Sequence, residues 1–430
     1  MNKNKIKDIL LIITLFIYIF FISYFKFANI DDIWNYGFSY NIATGLTIYN
    51  DFNMVITPLY PIIFGLIMKV FGTNIIVFYL FNALIPTSIF YIVYKYYKKS
   101  LLEIIIVITA IYSPNYNYLC ILFLFILFIL EDKKKNDYLI GIVLGLNFLT
   151  KSCMGLLSLA SLYYVKDIKK IIKRIIGFLI PNIIITVYFI KENILYNYIN
   201  YAFGSLLSFS KDNAEITIGI IIFISVIIYL IYKYKKTKDI KLLYILFFQI
   251  ICYPTFNLSH IIFGLIPVIF YITYKNNNII YNKFKKLLLI LIITPIVLTI
   301  VQFKVMQLEY GTNALKYKLI KKYYLEDAKQ IEKHIDNLEN TYFIMYEAYY
   351  NKILLGLKIN KYDLTLKGNL GYNGEEETIK YFDKQPSNTQ FLIHKDFEYG
   401  QASKKIYDHI KNNYTFVKSF NGYELYINNK

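Results

Sequence analysis

Apolar residues in this chain come as long, nearly unbroken runs between residues 9 and 302, separated by short polar stretches in which lysines bunch. Runs near twenty residues with few charges predict membrane-crossing helices rather than the amphipathic stripes of a soluble fold. Spans are expected at about 9–27, 74–94, 175–190, 215–232, 241–253, 260–274 and 286–302. Two apolar hairpins, 101–130 and 138–165, carry polar centres at Ser113-Pro-Asn-Tyr-Asn117 and Thr150-Lys-Ser152. Each is expected to rise to the outer face and return, its turn lying in a protein-lined cavity where irregular backbone can be satisfied. Counting each hairpin twice gives about eleven crossings. The run 58–71 is different, because about 14 residues at about 1.5 Å each fall short of a core of about 30 Å. It reads as re-entrant or interfacial. The first run is too long for a signal-peptide core and lacks a small-residue cleavage site, so it reads as a retained anchor.

Composition agrees with a polytopic α-helical membrane protein: 57% hydrophobic residues and a mean hydropathy of +0.42. A net charge of +18 would suit nucleic acid if it formed a patch, but the lysines sit in the short loops and read as topology signals. Lys3, Lys5 and Lys7 place the amino terminus in the cytoplasm, and Lys95, Lys98 and Lys99 follow the second full span. The clusters at 166–174, 233–241 and 275–286 stay inside by the same rule. The loop 28–57 and everything beyond about 303 are then outside. Cys120, Cys153 and Cys252 show no paired spacing, which argues against a disulfide framework or a zinc site.

Residues 303–430 change character, with 19 lysines against 16 acidic residues and few apolar runs. They read as an extracytoplasmic α/β domain following a transmembrane module of residues 1–302. Strands are expected at 341–347, 362–366 and 390–395, helices at 375–385 and 403–413, and a closing hairpin at 415–428. No glycine-rich phosphate motif occurs, so no nucleotide is assigned. His334 and His394 read as surface residues.

The chemistry concentrates in the outer loop, where Asn29-Ile-Asp-Asp-Ile-Trp-Asn-Tyr36 puts paired carboxylates at a membrane surface. On a helix over about 31–44, Asp31 and Asp32 point about 100° apart, so only one can face a given atom. The bland reading is that Asn29 caps this helix and both aspartates favour its dipole. Against it stand the recurrence of acid at Asp51 and the aromatic surface offered by Trp34, Tyr36, Tyr40 and Tyr49. Lys151 lies in a hairpin tip at outer depth, the wrong side for a topology lysine. It either snorkels or holds an anionic group as a point charge. His260 is a second candidate at an outer turn, ahead of Lys191 and Lys211. The chain's one arginine, Arg174, falls on the cytoplasmic side.

This order of motifs resembles the C-type (GT-C) membrane glycosyltransferases, which include protein O-mannosyltransferases and aminoarabinose transferases. Asp31-Asp-Ile-Trp-Asn-Tyr36 looks like the family's Asp-Glu-x-x-Tyr signature, with Asp32 in place of Glu. Asn41-Ile-Ala-Thr-Gly45, Tyr49-Asn-Asp51, Thr57-Pro-Leu-Tyr60 with the run to Gly72, and Leu149-Thr-Lys151 resemble the motifs that follow. Ser113-Pro114 also matches, but the acidic residue often found downstream is replaced in that neighbourhood by Asn115 and Asn117. The resemblance covers about the first 170 residues.

It implies transfer of a sugar from a polyprenyl-phosphate donor to a glycan, lipid or protein acceptor on the outer face of the bacterial cytoplasmic membrane, with inversion. Asp31 would then be the base and Asp32 its partner in the catalytic pair. Lys151 would meet the departing phosphate, and Asp51, Trp34, Tyr36, Thr57 and His260 would bind substrate. A divalent cation is left open, and no metal ligands are assigned. The competing readings are a transporter or flippase of lipid-linked sugars, which should show repeat halves and midplane charges, and a glycan polymerase or ligase, enzymes that commonly use external arginines.

Overall fold

The computed structural model describes residues 3–97, 101–206, 209, 210, 217–275, 297, 301, 307–365, 369–396 and 403–429. The chain is mostly helical with a small sheet near its carboxyl end, and its contacts divide it into two compact units. One gathers Met1–Lys26, Tyr79–Tyr188 and Ala214–Phe303, and the other gathers Phe27–Phe78, Phe189–Asn213 and Lys304–Lys430. The span expected at 286–302, apart from Val297 and Val301, and Lys211 lie outside the described residues. The boundary drawn from composition at residue 302 kept the loop 28–57 with the membrane module. The contact division groups that loop with the tail.

Among the described residues three helices are long and apolar enough, by length and composition, to cross a membrane: Lys5–Phe25, Ile75–Tyr97 and Ile168–Lys191. They answer to the runs expected at 9–27, 74–94 and 175–190. Ile168–Lys191 keeps Ile175, Ile176, Leu179, Ile180, Ile183, Ile184 and Val187 exposed. Such a continuous apolar surface is costly in water and suits hydrocarbon. The hairpin arms and later runs form shorter helices, among them Asp137–Thr150, Ser152–Tyr164, Ile240–Cys252 and His260–Tyr274. These fall below the about 20 residues a lone span needs. Among the described residues a count of about eleven crossings is therefore not confirmed.

Short polar residues in the loops start these helices. Asn115 accepts a hydrogen bond from Asn117 N at 2.9 Å, Asn136 from Tyr138 N at 3.0 Å and Asp239 from Lys241 N at 3.0 Å. The helices Asp137–Thr150 and Ile168–Lys191 then cross closely at small residues. A methyl group on Gly141 would run into the Arg174 carbonyl oxygen, and one on Gly177 into that of Tyr138.

Arg174 clamps one end of this unit. Its guanidinium, 5% exposed, donates to both oxygens of Glu131 at 2.7 and 3.0 Å, to Asp137 at 2.8 Å and to Ser161 Oγ at 2.7 Å. The Tyr244 hydroxyl adds a bond to Glu131 at 2.8 Å. Five helices meet at one planar cation. Removing one partner of such a buried network strands the others, so Arg174→Ala should lower stability by about 3–5 kcal/mol. Arg174→Lys should recover only part, since an ammonium cannot reproduce the fork. Thermal unfolding of the detergent-solubilised variants measures both.

In the second unit the helix Ile30–Ala43 packs along Leu59–Phe71. The segment before it is tied to the tail, with Ala28 N donating to Leu319 O at 3.1 Å and the Tyr350 hydroxyl donating to Ala28 O. Asn53 Nδ2 reaches the carbonyls of Leu364 and Asn369 at 3.1 and 3.2 Å. The tail holds a two-stranded antiparallel pair, β1 (Leu308–Tyr310) with β2 (Leu319–Lys321). Its main sheet comprises β3 (Thr341–Ile344), β4 (Gln390–His394), β5 (Thr415–Phe420) and β6 (Tyr423–Ile427), in the order β3-β4-β6-β5. β3 and β4 run parallel, and the other pairs are antiparallel. Ile331, Phe343, Leu392 and Leu425 centre a core between the sheet and the helix Lys322–His334.

The closing hairpin falls where expected, turning at Asn421 and Gly422, both at positive φ as a two-residue Asn-Gly turn requires. Of the strand expected at 362–366, the described residues 362–365 form none, and Leu366 lies outside the described residues. Tyr362 sits at φ 68, and Asp363 accepts bonds from Asn360 N at 2.5 Å and Phe343 N at 3.1 Å while pairing with Lys352 at 2.7 Å. A buried ion pair and a left-handed residue override strand propensity here.

Candidate functional site

The two neighbouring aspartates have different fates. Asn29 caps the helix Ile30–Ala43 by accepting from Asp32 N at 2.8 Å, and the Asp32 carboxylate accepts in return from Asn29 N at 3.3 Å. This reciprocal capping box commits Asp32, which is buried, to holding the helix start. Asp31 has no such duty. Its side chain is exposed, and among the described residues no hydrogen bond or ion pair holds its carboxylate. Surrounding protein, and secondarily the charge on Asp32, push its carboxyl up to about 6. Accessibility and partial desolvation coexist where water reaches a group from one side and protein replaces water on the others.

Tyr346, which the sequence reading missed, joins it, and Glu347 lies within reach of Tyr346. The Tyr346 phenol, pushed up to about 12 by burial, lies within electrostatic reach of both Asp31 and Glu347. Its ring meets Trp34 edge-on, with centroids 5.5 Å apart, and the Trp34 Nε1 is buried without a partner among the described residues. Glu347 is 9% exposed and has no ion-pair partner among the described residues. Burial, reinforced by Asp327, pushes its carboxyl up to about 7. The expected strand 341–347 hid these residues, because β3 stops at Ile344 and the chain turns into the helix Ala348–Leu355. The available signal was topological: groups just past the carboxyl end of a parallel strand commonly form sites.

Glu347 also makes a stability prediction. Its folded pKa, about 7, stands above the model-peptide value of 4.5, so the folded state binds the extra proton in that interval. Stability associated with this group is full below about 4.5 and is lost as pH rises through about 7. Glu347→Gln should therefore flatten the decline in melting temperature between those limits, which thermal scans across pH would register.

The remaining loop candidates are structural in their contacts. Tyr36 is fully buried, donates to Thr73 O at 2.5 Å and packs edge-on against Phe78, so it offers no ring face to a ligand. Tyr49 is likewise buried, with its hydroxyl on Ile56 O at 2.7 Å. The aromatic surface expected from these two is core instead, because the helix turns Tyr36 toward Phe78, and Tyr49, in the turn beyond the helix, packs against Phe189, Tyr198 and Tyr201. Thr57 is buried just before that helix. Asp51 accepts from Thr47 N at 2.7 Å and from Asn50 Nδ2 at 2.9 Å, which fixes the loop.

Lys151 and His260 belong to the other unit, where they come together. Lys151 is the first residue after the helix Asp137–Thr150, and its extended backbone turns the side chain out of the helical path. Its Nζ donates to Asn117 Oδ1 and to Ile251 O, both at 3.4 Å, and lies 5.7 Å from the Tyr116 ring centroid. Among the described residues no carboxylate neutralises it. The ammonium is close enough to act electrostatically on the His260 ring, which contacts Asn257 Oδ1 at 2.9 Å and Thr255 Oγ1 at 3.3 Å. An unneutralised ammonium with two long neutral bonds is suited to receive an anion. Asn117 thus meets the cation in the neighbourhood where the resemblance leads one to look for an acid.

Among the described residues no group of three or more His, Cys, Asp or Glu side chains is placed to hold a metal ion. Comparison with protein-family models, with curated proteins and with solved structures finds no match for the chain.

Proposed function

We propose that this chain is a polytopic membrane glycosyltransferase that moves a sugar from a polyprenyl-phosphate donor to a glycan, lipid or protein acceptor on the outer face of the membrane. The observation that carries this reading is the contrast between Asp32, bound into a cap, and Asp31, accessible, without a side-chain partner among the described residues and pushed up to about 6. A base is most useful when its pKa lies near the working pH, because it is then ionised yet still able to take a proton. In this reading Asp31 removes the acceptor hydroxyl's proton as the new glycosidic bond forms. Lys151, in the other unit, is assigned from its own surroundings to holding an anionic phosphate group. Tyr346, Glu347 and Trp34 position the acceptor beside Asp31. The membrane-embedded layout of the C-type glycosyltransferases, with the tail outside the cytoplasm, is part of the same proposal.

The direct test incubates purified protein with a panel of polyprenyl-phosphate sugars and measures released polyprenyl phosphate. Release that depends on an added hydroxyl acceptor is the expected result. If no donor in the panel is turned over while intact lipid-linked sugar crosses proteoliposome membranes, the transporter reading replaces this one.

A further inference from the structure

The second unit carries a hollow of about 420 Å³, apart from the Asp31 cluster, whose wall includes Asn50, Asp51, Tyr342, Lys358, Lys361 and Tyr381. Its volume falls within the range of about 300–1,000 Å³ typical of ligand pockets. The segments that carry wall residues are tied to other parts of the same unit through residues next to the wall in sequence, Tyr49 and Tyr362, and Tyr372 is bound nearby in the chain. Asn197 Nδ2 donates to Tyr49 O at 3.0 Å, the Tyr201 hydroxyl donates to that of Tyr362 at 3.1 Å, and Tyr372 N donates to Asn200 Oδ1 at 2.7 Å. On its wall the Tyr342 and Tyr381 hydroxyls lie 3.0 Å apart.

Lys361 is the informative side chain. It is half-buried, stands 5.9 Å from the Tyr381 ring centroid, and has no hydrogen bond or ion pair among the described residues. Burial pushes its ammonium pKa down, and the charges of Glu377 and Asp51 oppose that shift. Asp51 is engaged by Thr47 N and Asn50, and among the described residues it forms no direct ion pair with Lys361.

We propose that this hollow binds a hydroxyl-rich sugar unit bearing one anionic group, a carboxylate or a phosphate. Each sugar hydroxyl both donates and accepts, which suits a wall mixing ammonium, carboxylate, amide and phenol groups. Tyrosine rings offer apolar faces to the C–H side of a pyranose. The wall sets two ammonium groups beside the Asp51 carboxylate, with the Glu377 charge also acting on Lys361, and the half-buried Lys361 ammonium, without an ion pair among the described residues, is the group an anion on the ligand would meet. The proposal does not depend on sugar transfer, although an acidic glycan acceptor would be a natural occupant if transfer occurs.

The test is calorimetric titration of the full chain in detergent with glucose, glucuronate, glucose 6-phosphate and inorganic phosphate. Saturable binding of glucuronate or glucose 6-phosphate, tighter than glucose and tighter than phosphate alone, is expected, and the two acidic sugars distinguish carboxylate from phosphate. Lys361→Gln should weaken that binding by about tenfold, as loss of one charge-assisted contact does, and the exposed Lys358→Gln by less. Asp31→Asn should leave it unchanged. Phosphate binding as tightly as glucose 6-phosphate, absence of saturation with either acidic sugar, or affinities unaltered in both lysine variants would overturn the proposal. Intact binding with absent transfer would count against the transferase reading alone.

Discussion

Asp31→Asn is expected to reduce sugar transfer by about 10²–10⁴-fold, the usual contribution of a positioned general base, while leaving folding and protein level unchanged. The substitution keeps the shape of the side chain and removes only the ability to take a proton. Because no partner holds this carboxylate among the described residues, nothing in the fold should be stranded by the change. Asp32→Asn is the informative contrast. It disturbs the reciprocal cap with Asn29 and should cost stability on the scale of an N-cap, about 0.5–2 kcal/mol, with a smaller effect on turnover in the surviving protein. The pH profile supplies a second reading of the same idea. Asp31 must be ionised to act, so wild-type kcat/KM should fall as pH drops through about 6. Released polyprenyl phosphate measured across pH would show this limb, and full turnover by Asp31→Asn would remove Asp31 as the base.

Lys151→Ala is expected to weaken use of the donor by about 10–100-fold in kcat/KM, in keeping with a lost hydrogen bond to a charged group of about 1.5–3 kcal/mol. Its present partners are a side-chain amide and a backbone carbonyl, both neutral and both at 3.4 Å, so the positive charge is available to an incoming phosphate. The contribution should strengthen as the donor bond breaks, so kcat should fall as well as donor affinity. Lys151→Arg should restore binding only in part, because a planar fork does not occupy the space of a compact ammonium over Tyr116. An unchanged donor KM together with a normal kcat in Lys151→Ala would remove the residue from the reaction. His260→Ala should act more weakly, since its ring already bonds Asn257 and Thr255.

Much of the architecture is legible in local sequence. The runs at 9–27, 74–94 and 175–190 correspond to helices long and apolar enough to cross a membrane. The tail's helices near 375–385 and 403–413, and its closing hairpin, lie within a few residues of their expected places. The short run 58–71 forms a helix of 13 residues, too short to span. Where the reading departs from the structure, side-chain pairing that hydropathy does not register decides. At the described residues 362–365 the Lys352–Asp363 pair takes the place of the expected strand, and the apolar runs are interrupted by caps such as Asn115, so that among the described residues three helices reach spanning length.

The candidate site divides along the same line. Sequence alone determined that carboxylates and a cation stand in polar breaks between apolar runs, because charge placement and helix capping depend on neighbours a few residues away. Only the tertiary structure decided which carboxylate lacks a partner among the described residues, that Tyr36 and Tyr49 face inward, and that Tyr346 comes within reach of Asp31. Those outcomes depend on the rotational phase of one helix, on packing around the turn that holds Tyr49, and on contacts across more than 300 residues of chain, such as Tyr350 with Ala28. A local pattern fixes what a segment can become, whereas side-chain direction is set by whatever packs against it.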